Sequence, residues 1–223
     1  MRPLSGHILV VGLGVSGSAV VRYLVNRIAQ GDPLTVTAVD SADTPELRAT
    51  ASALAQSGVE VLLGTSNVQG AYDLAVVSPG VPPHVPLMTS VQGVAKEVIG
   101  ELEFAFRLSV SPWIAVTGTN GKTTTTTLIT HLLGYAGIAA ESAGNIGHPA
   151  IEVATKTGPG TAIVAEVSSF QLSLTERFHP RVSVLLNITP DHIDWHGSME
   201  AYVGDKARVF ANQDADDSAV IDA

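Results

Sequence analysis

Short apolar runs recur along this chain, each followed by a turn and a longer stretch with helical apolar spacing. A strand over 7–11 is followed by a glycine-rich turn. Val20, Val21, Leu24, Val25 and Ile28 then predict a helix over 18–29. Gly31-Asp32-Pro33 stops that helix. Further strands are predicted over 34–39, 59–63 and 74–77, with a helix over 45–57 between the first two. A helix over 98–108 follows. Ser109, Ser111 and Pro112 then punctuate the chain, and the pattern restarts. The second round predicts strands over 113–117, 162–166, 182–186 and 219–221, with helices over 122–133 and 199–211. Strands alternating with helices imply an α/β fold with parallel sheets in two domains, 1–110 and 111–223. The last strand has no crossover helix after it, so the second domain is expected to be cut short.

Composition narrows the function. The chain has 223 residues and a net charge of −9, which offers no basic face to nucleic acid or an anionic membrane. Hydrophobic residues make up 45% and charged residues 15%, enough for a sizeable core. Cysteine is absent, which excludes disulfides and thiolate chemistry. The apolar stretch after His7 is interrupted by Gly12, Gly14, Gly17 and Arg22. It therefore reads as strand, turn and helix rather than a signal peptide or a membrane span.

Two glycine-rich turns carry the first chemistry. Gly12-Leu13-Gly14-Val15-Ser16-Gly17 is G-x-G-x-x-G after a strand, and Asp40 closes the next strand. This matches the dinucleotide fingerprint, in which backbone and helix N-terminus face a diphosphate. NAD, FAD and UDP-sugars all present one. Residues 113–127 read W-I-A-V-T-G-T-N-G-K-T-T-T-T-T. Gly118, Thr119, Asn120, Gly121, Lys122, Thr123 and Thr124 form a phosphate loop running into a helix, with Val116 where the strict motif has its first glycine. In such a loop Lys122 reaches the β/γ-phosphates and the Thr123 hydroxyl helps hold Mg²⁺.

Residues beyond the loop extend the pattern. Glu166 ends a strand, where a carboxylate lines the ligand crevice of a parallel sheet and is able to hold Mg²⁺. Residues 187–196 read N-I-T-P-D-H-I-D-W-H. Their spacing matches no zinc signature, and His192 gains interest from its strand-end position. On the helix over 199–211, Met199, Val203, Lys206 and Phe210 share one face. A lysine there either snorkels or is neutralised. A neutral amine is able to take up CO₂ as a carbamate, an anionic oxygen ligand for metal.

Together these stretches resemble the Mur ligases, ATP-dependent amide-forming enzymes of peptidoglycan precursor synthesis. The resemblance rests on T-G-T-N-G-K-T-T at 117–124, G-N-I-G at 144–147, E-V-S-S-F-Q-L at 166–172 and N-I-T-P-D-H-I-D at 187–194. The S-S-F-Q-L run points to the branch that adds D-glutamate to UDP-N-acetylmuramoyl-L-alanine. The resemblance implies a Rossmann-like first domain binding the UDP part through Gly12–Gly17, Asp40, Ser41, Ser78, Pro79 and Gly80. Ala42 departs from a charged residue that some members carry there. The resemblance further implies that Asn145, Ser168, Gln171 and His192 face the muramoyl-alanine part. Thr123 and Glu166 would hold one Mg²⁺, and His192 and carbamylated Lys206 would serve a second.

The resemblance also implies a central P-loop-type ATPase domain that is incomplete here and an absent amino-acid-binding domain. The chain alone is then expected to bind substrate without ligating it, as a cytoplasmic monomer. Three other readings stand beside this one. They are a non-catalytic UDP-sugar or nucleotide-binding module, another Mur or folylpolyglutamate-type ligase, and an NAD(P) oxidoreductase. The last leaves Lys122, Glu166 and Lys206 without a role.

Overall fold

The computed structural model describes residues 4–222. The chain divides into two compact units between Glu101 and Leu102. No helix among the described residues is long and apolar enough to cross a membrane.

The first unit is a five-stranded parallel sheet in the order β3-β2-β1-β4-β5. Its strands are β1 (Gly6–Val11), β2 (Leu34–Asp40), β3 (Glu60–Leu63), β4 (Leu74–Val77) and β5 (Val98–Gly100). Helices α1 (Val15–Ala29), α2 (Pro45–Ala55) and α3 (Pro86–Val94) connect them. Ile8 to Val11 are all buried, as a central strand covered on both faces requires. Helix α1 buries Gly17, Val20, Val21 and Leu24, a stripe at helical spacing. Gly17 permits this packing, because a Cβ there would lie 1.8 Å from the Gly12 carbonyl oxygen. Thr44 caps α2 by accepting the Leu47 N–H, with Pro45 in the first turn.

The second unit is also a five-stranded parallel sheet, in the order β10-β9-β6-β8-β7. Helix α4 (Glu101–Leu108) leads into it, with all but its first residue in the second unit. The strands are β6 (Trp113–Thr117), β7 (Ala139–Gly144), β8 (Thr161–Glu166), β9 (Val182–Leu185) and β10 (Ser218–Ile221). Helices α5 (Lys122–Tyr135), α6 (Ala150–Ala154), α7 (Ser169–Leu172), α8 (Ile193–His196) and α9 (Met199–Ala207) complete it, with a 3-10 turn over Arg208–Phe210. Val116, Val164 and Val184 form a buried cluster on the face covered by Ile129 and Leu133 of α5.

One buried carboxylate explains why α4 packs with the second unit. Glu103 is fully buried and accepts the backbone N–H groups of Glu176, Arg177 and Phe178. Arg107 of the same helix completes the ring, 2.6 Å from Glu103 and 2.7 Å from Glu176. A carboxylate so satisfied costs little to bury, and breaking the set would leave a stranded charge. Phe106, Trp113 and Phe178 pack edge-to-face behind it.

Several sequence expectations change. The helix expected over 98–108 is strand β5 and then α4. Val98 and Ile99 are β-branched and pair with β4, and Gly100 ends the extended run. Helix α3 is an addition to the expected elements, although it buries Leu87, Met88 and Val91 at helical spacing. The edge strand β7 and the short helix α6 carry too little periodicity to be seen in the sequence. The helix expected over 199–211 tightens into a 3-10 turn after Ala207. Its buried residues are Tyr202, Lys206 and Val209, whereas Val203 is 36% exposed. Lys206 is therefore core-facing as expected, on a face phased one residue away from the expected one.

Candidate active site

In the first unit the strand order reverses direction between β1 and β4, and ligands of such sheets bind outside the strand ends at that switch point. The turn Gly12–Gly14, Asp40 at the end of β2 and Ser78–Gly80 after β4 all lie on this rim. Gly12 has φ +84°, and a Cβ there would sit 2.8 Å from Val81 and 3.0 Å from Ser78. That close packing brings the first and third loops together. Asp40 is committed to backbone: its carboxylate accepts the Leu13 N–H at 2.7 Å and the Ala42 N–H at 2.9 Å. Gly14, Val15 and Ser41 are exposed, Ser16 and Pro79 half-buried, and Ser78 buried. A Cβ on Gly14 would meet nothing within 4 Å, so open space faces the turn.

In the second unit the phosphate loop leaves β6 at Gly118, with φ +150°, and enters α5 through Gly121, with φ +85°. Both values favour glycine. Asn187, just past β9, brackets the loop. Its side chain accepts the Asn120 N–H and donates to the Asn120 carbonyl, and its own carbonyl accepts the Thr119 N–H. The Thr119 hydroxyl bonds to the Tyr202 hydroxyl at 2.9 Å and to the Thr189 backbone.

Two ammonium groups converge on one carbonyl. Lys122 donates to the Gly118 and Thr119 oxygens at 3.0 and 2.9 Å, and Lys206 donates to the Gly118 oxygen at 2.8 Å. Lys206 is 2% exposed and also lies 4.7 Å from the centre of the Tyr202 ring. Burial first, and then the Lys122 charge, lower its pKa to about 8, against the pull of Asp191. Burial also raises the Tyr202 hydroxyl above its ordinary value.

A second cluster gathers at the end of β8. Thr123 donates to the buried Glu166 carboxylate at 2.7 Å, and the Asn145 side chain donates to its other oxygen at 2.8 Å. Gly144 makes this approach possible, because a Cβ there would lie 2.3 Å from the Glu166 carbonyl oxygen. A hydroxyl and a carboxylate on neighbouring elements are hard oxygen donors of the kind Mg²⁺ takes.

The remaining expected residues sit nearby without joining either cluster by a hydrogen bond. Ser168 and Gln171 form a capping box on α7. The Ser168 hydroxyl accepts the Gln171 N–H, and the Gln171 side chain accepts the Ser168 N–H. His192 has φ +50°, the one non-glycine residue with positive φ among the described residues. Its ring is half-exposed, lies 4.8 Å from Phe170 and approaches Asp191 at 3.5 Å. A bulky residue held in this region is strained, which marks functional turns. Thr124 is exposed on the first turn of α5.

Tyr202 and the bracketing role of Asn187 were not expected from sequence. Tyr202 stands four residues before Lys206, so the correct helix phase would have revealed it. Among the described residues, His179, Asp214 and Asp217 also form a group that metal would suit. Asp217 is already bound to His179, Arg181 and the Asp214 N–H, at the opposite ends of β9 and β10 from the loop.

Comparison with known proteins places this geometry. Residues 116–223 match the family described as Mur ligase middle domain. Residues 6–100 match the family described as Mur ligase MurD-like, N-terminal domain. A UDP-N-acetylmuramoylalanine–D-glutamate ligase from Pelotomaculum thermopropionicum is 46% identical over 216 residues, covering 96% of this chain and 46% of that protein. One of the same name from Caldanaerobacter subterraneus subsp. tengcongensis is 41% identical over 217 residues, covering 96% and 47%. The chain thus spans about half the length of the curated relatives it matches.

Among solved structures, UDP-N-acetylmuramate:L-alanyl-γ-D-glutamyl-meso-diaminopimelate ligase from Neisseria meningitides aligns with TM-score 0.56 and 18% identity. The alignment covers 99% of this chain and 72% of that one. UDP-N-acetylmuramate-alanine ligase from Thermotoga maritima aligns with TM-score 0.53 and 21% identity, covering 97% and 49%. At these identities the likeness concerns the fold.

Proposed function

This chain belongs to the Mur ligase family, and from that premise we propose that it supplies the UDP-substrate and ATP parts of a ligase adding D-glutamate to UDP-N-acetylmuramoyl-L-alanine. The observation that carries the reading is the convergence of Lys122 and Lys206 on the Gly118 carbonyl beside the Thr123–Glu166 pair. That arrangement places the Lys122 ammonium and hard oxygen donors where a triphosphate would lie. The names of the relatives support the choice of D-glutamate.

In the first unit, Gly12–Gly17, Asp40, Ser41 and Ser78–Gly80 line the proposed uridine-diphosphate site. Asp40 shapes the glycine turn by holding two backbone N–H groups. Asn145, Ser168, Gln171 and His192 are proposed for the muramoyl-alanine end. The reaction starts when the substrate carboxylate attacks the ATP γ-phosphorus, forming an acyl phosphate and releasing ADP. The D-glutamate amine then attacks that carbonyl, forming the amide and releasing phosphate.

Both steps bring anions together. Lys122 leaves the loop carbonyls to meet the phosphates and stabilises the charge in transfer. Thr123 and Glu166 would hold one Mg²⁺, and a carbamate on Lys206, with His192, would hold a second; the ions would neutralise phosphate charge during transfer. The lowered pKa of Lys206 raises its neutral fraction, which favours addition of CO₂ to give a carbamate and a proton. Dependence on ATP supports a cytoplasmic setting.

Calorimetric titration of the 223-residue chain tests the reading. Binding of UDP-N-acetylmuramoyl-L-alanine and Mg·ATP, with none of NADH, is expected. Binding of NADH without the UDP-substrate would overturn it in favour of an oxidoreductase.

A further inference from the structure

His196 belongs to no proposed substrate or metal contact, yet its side chain is fully buried and bonded at both nitrogens. Nδ1 lies 2.7 Å from the Asp205 carboxylate on α9, and Nε2 lies 2.9 Å from the Ser169 hydroxyl on α7. The order Asp–His–Ser looks like a charge relay. Ser169 is only 2% exposed, however, so no substrate reaches it as a nucleophile. The ring is also held by packing. It stacks on Phe170 at 5.4 Å and meets the edge of Tyr202 at 5.2 Å, with Trp195 at 4.5 Å.

The placement of these partners gives the contacts meaning. Ser169 follows Ser168 and opens the helix that holds Gln171. Asp205 precedes Lys206. His196 itself ends α8, four residues after the strained His192. Tyr202 carries the connection on to the phosphate loop through Thr119. One imidazole therefore joins three separate segments that carry the proposed reaction groups. A buried imidazole with two partners has one low-energy orientation, so it fixes those segments relative to one another.

We infer that His196 is a positioning residue, which sets the placement of His192 and Lys206 by tying α7, α8 and α9 together. This rests on the ligase reading only for the consequence, since the tie itself lies in the contacts. Thr123 and Glu166 stand outside the tie and should keep their arrangement without it.

His196→Phe keeps the ring packing and removes both hydrogen bonds. Hydrogen exchange in 168–172 and 192–198 is expected to accelerate by about tenfold, with β8 unchanged. The Mg²⁺ concentration for half-maximal ATP binding is expected to rise by roughly threefold to tenfold, at or below the range for loss of a group bonded directly to a metal ligand, since His196 acts through the neighbours of Lys206 and His192. ATP affinity without Mg²⁺ should stay the same. Asp205→Asn retains an acceptor for Nδ1 and should resemble the unaltered chain. Ser169→Ala, a milder change, should shift both readouts in the same direction as His196→Phe.

Unchanged exchange and unchanged Mg²⁺ dependence in both His196→Phe and Ser169→Ala would overturn the inference. A change in exchange throughout β8 would also overturn it, by reducing His196 to general packing. Should the unaltered chain show no Mg²⁺-dependent ATP binding, the ligase reading fails, and the exchange pattern alone decides the positioning role.

Discussion

In the first unit, the turn after the central strand faces a carboxylate, because Asp40 takes the Leu13 and Ala42 N–H groups. In the second, the turn after the central strand faces two ammonium groups, because Lys122 and Lys206 share the Gly118 carbonyl. Both turns leave a parallel strand and enter a helix, and both need glycine at positive φ. What differs is the neighbour. A turn held by an acid through its own backbone presents dipoles and open space, suited to a ligand recognised by shape and hydrogen bonds. A turn held by bases presents charge, suited to a triphosphate whose charge is moved during reaction. On the proposed reading the same strand–turn–helix serves two ligands, with the adjoining elements assigning which.

The largest effect should come from separating steric from functional glycines. Gly17→Ala would drive a Cβ into the Gly12 carbonyl and should cost about 3 kcal/mol or more, seen in denaturant unfolding of the first unit. Gly14→Ala meets no atom and loses only the N-cap preference of α1, so it should cost no more than about 1 kcal/mol, while weakening the UDP-substrate in calorimetry. Equal losses of stability at the two positions would break the distinction.

A smaller effect tests the acid-held turn. Asp40→Asn keeps one acceptor oxygen for two N–H groups. It should weaken the UDP-substrate by about tenfold, the cost of one hydrogen bond to a charged group, and leave Mg·ATP unchanged. A matching loss for Mg·ATP would mean that the two turns are not independent.

The smallest effect concerns the base-held turn and is read from pH. The Lys206 pKa in the folded chain is lowered from 10.5 to about 8, so the folded state releases its proton first. Stability should therefore rise as pH increases from about 8 towards 10.5, where the unfolded chain still binds the proton. Lys206→Met should remove that rise and stabilise the chain at pH 7 by on the order of 1 kcal/mol, after loss of the Gly118 bond. A pH profile identical in the variant would contradict the burial of a charged amine.

Much of this was legible in the sequence, for reasons that differ by region. The central strands were visible because burial on both faces makes them continuous apolar runs. Val98-Ile99-Gly100 reads as the start of a helix because its strand is short and adjoins a helix directly. The edge strand Ala139–Gly144 was invisible because exposed edge residues need not be apolar. Lys122, Glu166 and Lys206 stand out as candidates in the sequence through a motif, a strand-end position and a core-facing position respectively. Tyr202 was within reach of a correct helix phase, whereas His196 and Asn187 were not, because their roles depend on contacts between segments distant in sequence. No local spacing records that Asn187 brackets Asn120, or that one imidazole meets both Ser169 and Asp205.

The central claim is that the two glycine turns bind different ligands through different groups. A paired calorimetric titration of the unaltered chain and Lys122→Met, with UDP-N-acetylmuramoyl-L-alanine and with Mg·ATP, tests it most directly. The variant should bind Mg·ATP about 30-fold more weakly, as loss of a charge-assisted contact implies, and the UDP-substrate with unchanged affinity. Unchanged Mg·ATP affinity, or equal loss for both ligands, would contradict it.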